Sequence, residues 1–189
     1  MSTYDVILFI HLSALAAAFG ADGVIVLVRR RLLAARTGGE ALQWLAIAKA
    51  AARAYPVALL LLVASGSYMV HDAWSWSAGW IDAGLAGAVA LAVLGGGIEG
   101  RAAGRIAKGL AARPQEAPGA LVRDRVFWTV GLGNPALALG IVFVMATKPS
   151  APGAIASLLV AYALGAAAAV PFWRSPQVAP GLAAGAEQH

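Results

Sequence analysis

Residues 4–28 read YDVILFIHLSALAAAFGADGVIVLV, and Arg29, Arg30 and Arg31 follow directly. Within that run only Asp5 and Asp22 carry formal charge, and its length exceeds the roughly 20 residues an α-helix needs to cross the hydrocarbon core of a bilayer. The stretch therefore reads as a membrane-spanning helix. Its leading residues, Met1 to Asp5, lack the positive n-region of a secretory signal, and the basic cluster comes after the apolar run. The segment is accordingly expected to remain as a helix of the mature protein.

Four more apolar runs lie outward from this one, at about 55–70, 81–98, 126–147 and 155–172. The run at 55–70 is short and is expected to continue backwards into the amphipathic stretch 40–54 as one long helix, with Pro56 kinking it or opening its first membrane turn. Arg101, Arg105 and Lys108 recur at helical spacing among small residues, which carries the third spanning helix beyond the membrane surface. Arg113-Pro114 through Pro118-Gly119 ends it. The expected fold is all-α: an integral membrane helical bundle of five transmembrane helices.

Composition agrees. Sixty per cent of the chain is hydrophobic and 12% charged, against about half and a quarter in soluble domains. A 189-residue soluble core cannot hide that much apolar surface. The net charge of +5 sits beside apolar runs instead of forming a nucleic-acid patch, so lipid and not nucleic acid is the expected partner. With no cysteine, disulfides, thiolate zinc sites, iron–sulfur clusters and thiolate catalysis are excluded. Orientation follows from the positive-inside rule. An outside N-terminus puts Arg29, Arg30, Arg31, Arg36, Lys49, Arg53, Arg101, Arg105, Lys108, Arg113, Arg123, Arg125 and Arg174 inside and Lys148 alone outside. An even number of spans would scatter these charges. The C-terminus is then cytoplasmic, and the tryptophans Trp74, Trp76 and Trp80 form an outer aromatic belt.

Ionisable groups inside a span are functional candidates by default. His11 and Asp22 are eleven residues apart, three turns plus about 20°, so they share one face of the first helix at an axial separation of about 16 Å. Ala14, Ala17, Ala18, Gly20 and Ala21 beside them let a neighbouring helix or a flat ligand approach closely. A neutral imidazole in an apolar bundle suits haem iron; its plainer role is a hydrogen bond to another helix. Asp22 is expected to pair with Arg53 or another basic residue near the cytoplasmic ends, and Glu99 to cap its helix or pair near Arg101 and Arg105. Asn134-Pro135 is expected to interrupt the fourth spanning helix. In the outer half, His11, His71, Met69 and Met145 make a His/Met set compatible with copper(I), and His11 with His71 a pair of haem ligands. Gly95-Gly96-Gly97 has neither the preceding strand nor the spacing of a nucleotide loop, and the chain lacks hydrolase signatures.

His11 in the first helix, the arginines after it, Arg53-Ala54-Tyr55-Pro56 leading to Gly66, Trp80-Ile81, Asn134-Pro135 and Lys148-Pro149 together resemble a group of small four-helix bacterial membrane proteins. The group comprises an uncharacterised family of integral membrane proteins, the copper-resistance protein D type and the membrane protoporphyrinogen oxidase that works with haem. The resemblance covers residues 1–150 and implies a four-helix unit there, with 151–173 as an additional transmembrane helix and 174–189 as a cytoplasmic tail, expected from its Pro, Gly and Ala content to be flexible. His11 matches the histidine that the oxidase type uses for haem and activity. Gly84 stands where that type carries a lysine, so the likeness is closer to the uncharacterised family. The resemblance implies a multi-pass protein of the bacterial cytoplasmic membrane that binds haem b through His11 in a redox or tetrapyrrole-related role. The alternatives are copper handling by the His/Met set, or a cofactor-free accessory subunit contacting other membrane proteins, or copies of itself, through alanine- and glycine-rich faces.

Overall fold

The structure is a computed structural model and describes residues 2–173. Helix α1, Thr3–Ala34, opens at a capping box: the Ser2 hydroxyl accepts from the Asp5 amide, and the Asp5 carboxylate accepts from the Ser2 amide at 2.8 Å. Helix α2, Gly38–Ala52, is capped by Thr37. Gly38 has to be glycine, because a Cβ there would lie 2.6 Å from the Arg113 carbonyl. Arg53 forms the joint to α3, Ala54–Ala73, and Pro56 sits in the first turn of α3, where its missing N–H leaves no bond unmade.

The next rod is continuous: α4 Gly79–Ala92, a π-helical segment Val93–Glu99, and α5 Gly100–Ala112. α5 buries Ala102, Ile106 and Leu110 on one stripe and exposes Arg101, Arg105 and Lys108, as an amphipathic surface helix does. After a 3₁₀ turn, Gly119–Arg123, helix α6 spans Arg125–Thr147 from an Asp124 cap. The expected interruption at Asn134-Pro135 does not occur: α6 runs through Pro135 unbroken. Packing on both flanks holds the helix across the missing hydrogen bond. Lys148 ends α6 in the left-handed region at φ 49°, followed by α7, Ala151–Ala168, and the short α8, Val170–Trp173.

Five helical stretches are long and apolar enough to cross a membrane: Thr3–Ala34, Gly38–Ala73, Gly79–Ala112, Gly119–Thr147 and Ala151–Trp173. These are the five expected spans, and no strand occurs among the described residues. The multi-pass membrane architecture stands on them.

The bundle divides by packing. α1 lies along α3 and α2, whereas α4, α6 and α7 pack on one another, with α6–α7 the broadest seam. Two apolar clusters join the halves. At the arginine-rich end, Val28 and Leu32 of α1 meet Ile106 and Leu110 of α5 and Trp128 of α6. Trp128 is stacked on Phe172 at 4.4 Å and donates its indole N–H to the Val122 carbonyl at 2.7 Å. At the tryptophan-rich end, Val70 of α3 reaches Trp80, Ile81, Leu137 and Val144. There Trp74 meets Trp80 edge-on, and the Lys148 ammonium sits 4.3 Å from the Trp74 ring centre. Residues 151–173, expected as an additional helix, form α7 and α8, and Ala154 and Leu158 of α7 are part of the second cluster. The tail assigned to 174–189 lies outside the described residues.

Candidate functional site

Along α1 the ionisable residues form one stripe. His11 and Asp22 share a face as their spacing requires, and Arg29 extends it: it lies eighteen residues, about five turns, beyond His11. Arg29 is therefore turned into the bundle while Arg30 and Arg31 are exposed. Its side chain is 2% accessible, the most buried charge among the described residues. One guanidinium nitrogen donates to Glu99, at the end of the π-helical segment, and another to the Phe127 carbonyl at 2.9 Å. The guanidinium also lies 4.1 Å from the Phe127 ring centre. Gly131 makes this possible, since a Cβ there would occupy the guanidinium's own space.

The expected partnerships differ in two places. Asp22 receives its hydrogen bond from the Tyr55 hydroxyl, not from Arg53. Two residues apart on a helix means about 200° of rotation, so Tyr55 faces α1 and Arg53 is exposed at the α2–α3 joint. Glu99 pairs with Arg29 across the bundle, not with Arg101 or Arg105. Arg101 reaches back to the Gly97 carbonyl at 2.8 Å, and Arg105 approaches Asp124 at 3.5 Å. Asp22 lies within electrostatic reach of both Arg29 and Glu99, and Tyr162 of α7 within reach of Glu99.

Asn134 closes the site from α6. It stands one turn beyond Gly131 and touches Gly95 of the π-helical segment, where a Cβ would lie 3.0 Å from its amide nitrogen. Its Oδ1 and the Nε of Arg29 are buried without a hydrogen-bonding partner among the described residues. The π-helical turns contain Gly95, Gly96 and Gly97. Such wide turns inside α-helices occur frequently at functional sites. Every one of the five spans thus contributes to one polar centre: Asp22 and Arg29, Tyr55, Glu99, Asn134, and Tyr162.

His11 belongs to a second, smaller site. Its Nδ1 is 2.9 Å from the Ser65 hydroxyl, and its Cε1 packs against Gly66. The Ser65 hydroxyl also reaches the Leu61 carbonyl, and when it donates there it accepts from His11 Nδ1–H. That leaves Nε2 as the nitrogen with the lone pair. The other outer-half candidates do not converge on it. His71 is exposed, six residues or about 9 Å past Ser65 along α3. Met69 is half-buried on the same helix, and the Met145 methyl sits over Gly84 in the α4–α6 seam. No three His, Asp or Glu side chains are grouped to hold a metal among the described residues.

The sequence reading overlooked Arg29, Tyr55, Ser65 and Tyr162. Arg29 had a usable signal in its whole-turn spacing from His11, hidden by two neighbouring arginines. Tyr55 and Tyr162 had none, because a tyrosine in a span is ordinarily an interfacial anchor. Comparison with protein-family models, with curated proteins and with solved structures finds no match to this chain.

Proposed function

We propose that the protein is a haem-binding protein of the bacterial cytoplasmic membrane, with its N-terminus outside, its arginine-rich end in the cytoplasm, and a redox or tetrapyrrole-related role. The observation that carries the reading is the 2.9 Å contact of His11 Nδ1 with the Ser65 hydroxyl, on an imidazole that packs against Gly66. A Ser65 hydroxyl that donates to the Leu61 carbonyl accepts from Nδ1–H and leaves Nε2 as a neutral donor, the form in which imidazole ligates iron. The donor suits haem b, and Gly66 and the small residues of α1 keep bulk away from the imidazole. When bound, the haem would supply one-electron chemistry. His11 would hold it, and Ser65 would orient the ring and keep Nδ1 protonated. The distribution of basic residues supports the orientation.

A visible absorption spectrum of the detergent-purified protein from haem-replete cells tests this. A Soret band that is lost in His11→Ala and shifted in Ser65→Ala is expected. Absence of the band in the wild type, or its persistence in His11→Ala, rejects the reading.

A further inference from the structure

The polar centre is not electrically balanced by its own side chains. Asp22 and Glu99 bring two carboxylates, and Arg29 brings one guanidinium. The groups facing them from each element are Tyr55 of α3, Asn134 of α6 and Tyr162 of α7, none of which carries positive charge. The nearby basic side chains are turned away: Arg30, Arg53, Arg101 and Arg105 are exposed. With both carboxylates ionised, a net negative charge would sit in an apolar bundle, where an uncompensated ion is strongly disfavoured. Moreover, Asn134 Oδ1 is a buried acceptor with no donor. The charge imbalance calls for one more positive charge or proton.

We propose that the Asp22–Glu99 carboxylate pair holds one exchangeable proton, with Arg29 as the fixed counter-charge, so that the centre of the bundle is a proton-binding site. The proton belongs to the coupled set and not to one residue. Tyr55 donates to Asp22 and Arg29 donates to Glu99, so each carboxylate is held by a donor whichever of them carries it. The Glu99 side chain keeps 20% accessibility, so the protein itself does not enclose the site completely. Carboxylates placed this way in a span are the elements of proton relays.

Infrared spectroscopy of the purified protein in lipid nanodiscs, in H₂O and D₂O across pH, tests the proposal without any bound cofactor. The other acidic side chains among the described residues are exposed, or in Asp124 paired near Arg105. The wild type is expected to show one protonated-carboxyl C=O band per chain at neutral pH, shifted in D₂O and lost as pH rises. Asp22→Asn and Glu99→Gln should each abolish it, since either leaves one carboxylate matched to Arg29, while Glu116→Gln leaves it intact. Should either variant misfold, Tyr55→Phe retains the charges and is expected to shift the band, because the donor to Asp22 is gone. A wild type without the band at neutral pH overturns the proposal, whether a metal cation compensates or both carboxylates are ionised. A band that survives both Asp22→Asn and Glu99→Gln, or is unmoved in Tyr55→Phe, overturns it as well.

Discussion

The α6–α7 seam and the α1–α3 seam hold the same bundle together by different means. Between α6 and α7 the backbones approach through glycine: a Cβ on Gly140 would fall 2.8 Å from Ala161, and one on Gly165 would run into the Leu132 carbonyl and the Ala136 side chain. Tyr162 covers Gly133 in the same way. Contact between helices in lipid rests on close van der Waals packing, and small residues supply it. Between α1 and α3 the glycines of α1, Gly20 and Gly23, face open space, Gly66 of α3 meets only the His11 ring, and the links are polar: Tyr55 to Asp22 and His11 to Ser65. A seam made of backbone contact has one geometry; a seam made of titratable and hydrogen-bonding groups responds to protons and ligands. The candidate chemistry lies on the second kind.

The largest effect is expected where the polar side reaches across to the packed side. Arg29→Leu strands Glu99 and should destabilise the protein by about 3–5 kcal/mol, whereas Arg29→Leu with Glu99→Leu should recover most of the loss. Unfolding titrations in mixed micelles measure both, and an equal loss in single and double variants would deny the pair its role. On the packed side, Gly165→Ala pushes a methyl into α6 backbone and should lower stability by about 1–3 kcal/mol; a neutral outcome would mean the seam is looser than described. Next, Tyr55→Phe leaves Asp22 without its donor, a loss of about 1–2 kcal/mol by the same titration. Ser65→Ala is expected to reduce stability by about 1 kcal/mol. The smallest effect belongs to Gly23→Ala, within about 0.5 kcal/mol in the isolated protein. If Gly23→Ala instead disrupts a co-purifying assembly, α1 is covered by a partner and the accessory-subunit alternative gains ground.

Much of this architecture is legible without coordinates, for reasons that differ by residue. The runs at 126–147 and 155–172 announce spans because apolar length is a local property. Likewise Pro56, in the first turn of α3, behaves as its chemistry dictates. Asn134-Pro135 misleads, because a transmembrane helix tolerates a proline where its neighbours support the freed backbone, and α6 packs against α4 and α7. The site was half visible. Asp22, Glu99 and Asn134 stand out as polar groups in apolar runs, yet their partners depend on which helix faces which.

By itself, then, the sequence determined the number of spans, the stripe of His11 and Asp22 on α1, and the segregation of basic residues to one end, since each follows from length, helical period or charge order along a single segment. Tertiary structure alone decided that Arg29 leaves its arginine cluster for Glu99, that Tyr55 and not Arg53 serves Asp22, and that all five spans meet at one polar centre. A buried polar group takes whichever partner the packing brings within hydrogen-bond reach, and that distance is written in no single stretch of chain.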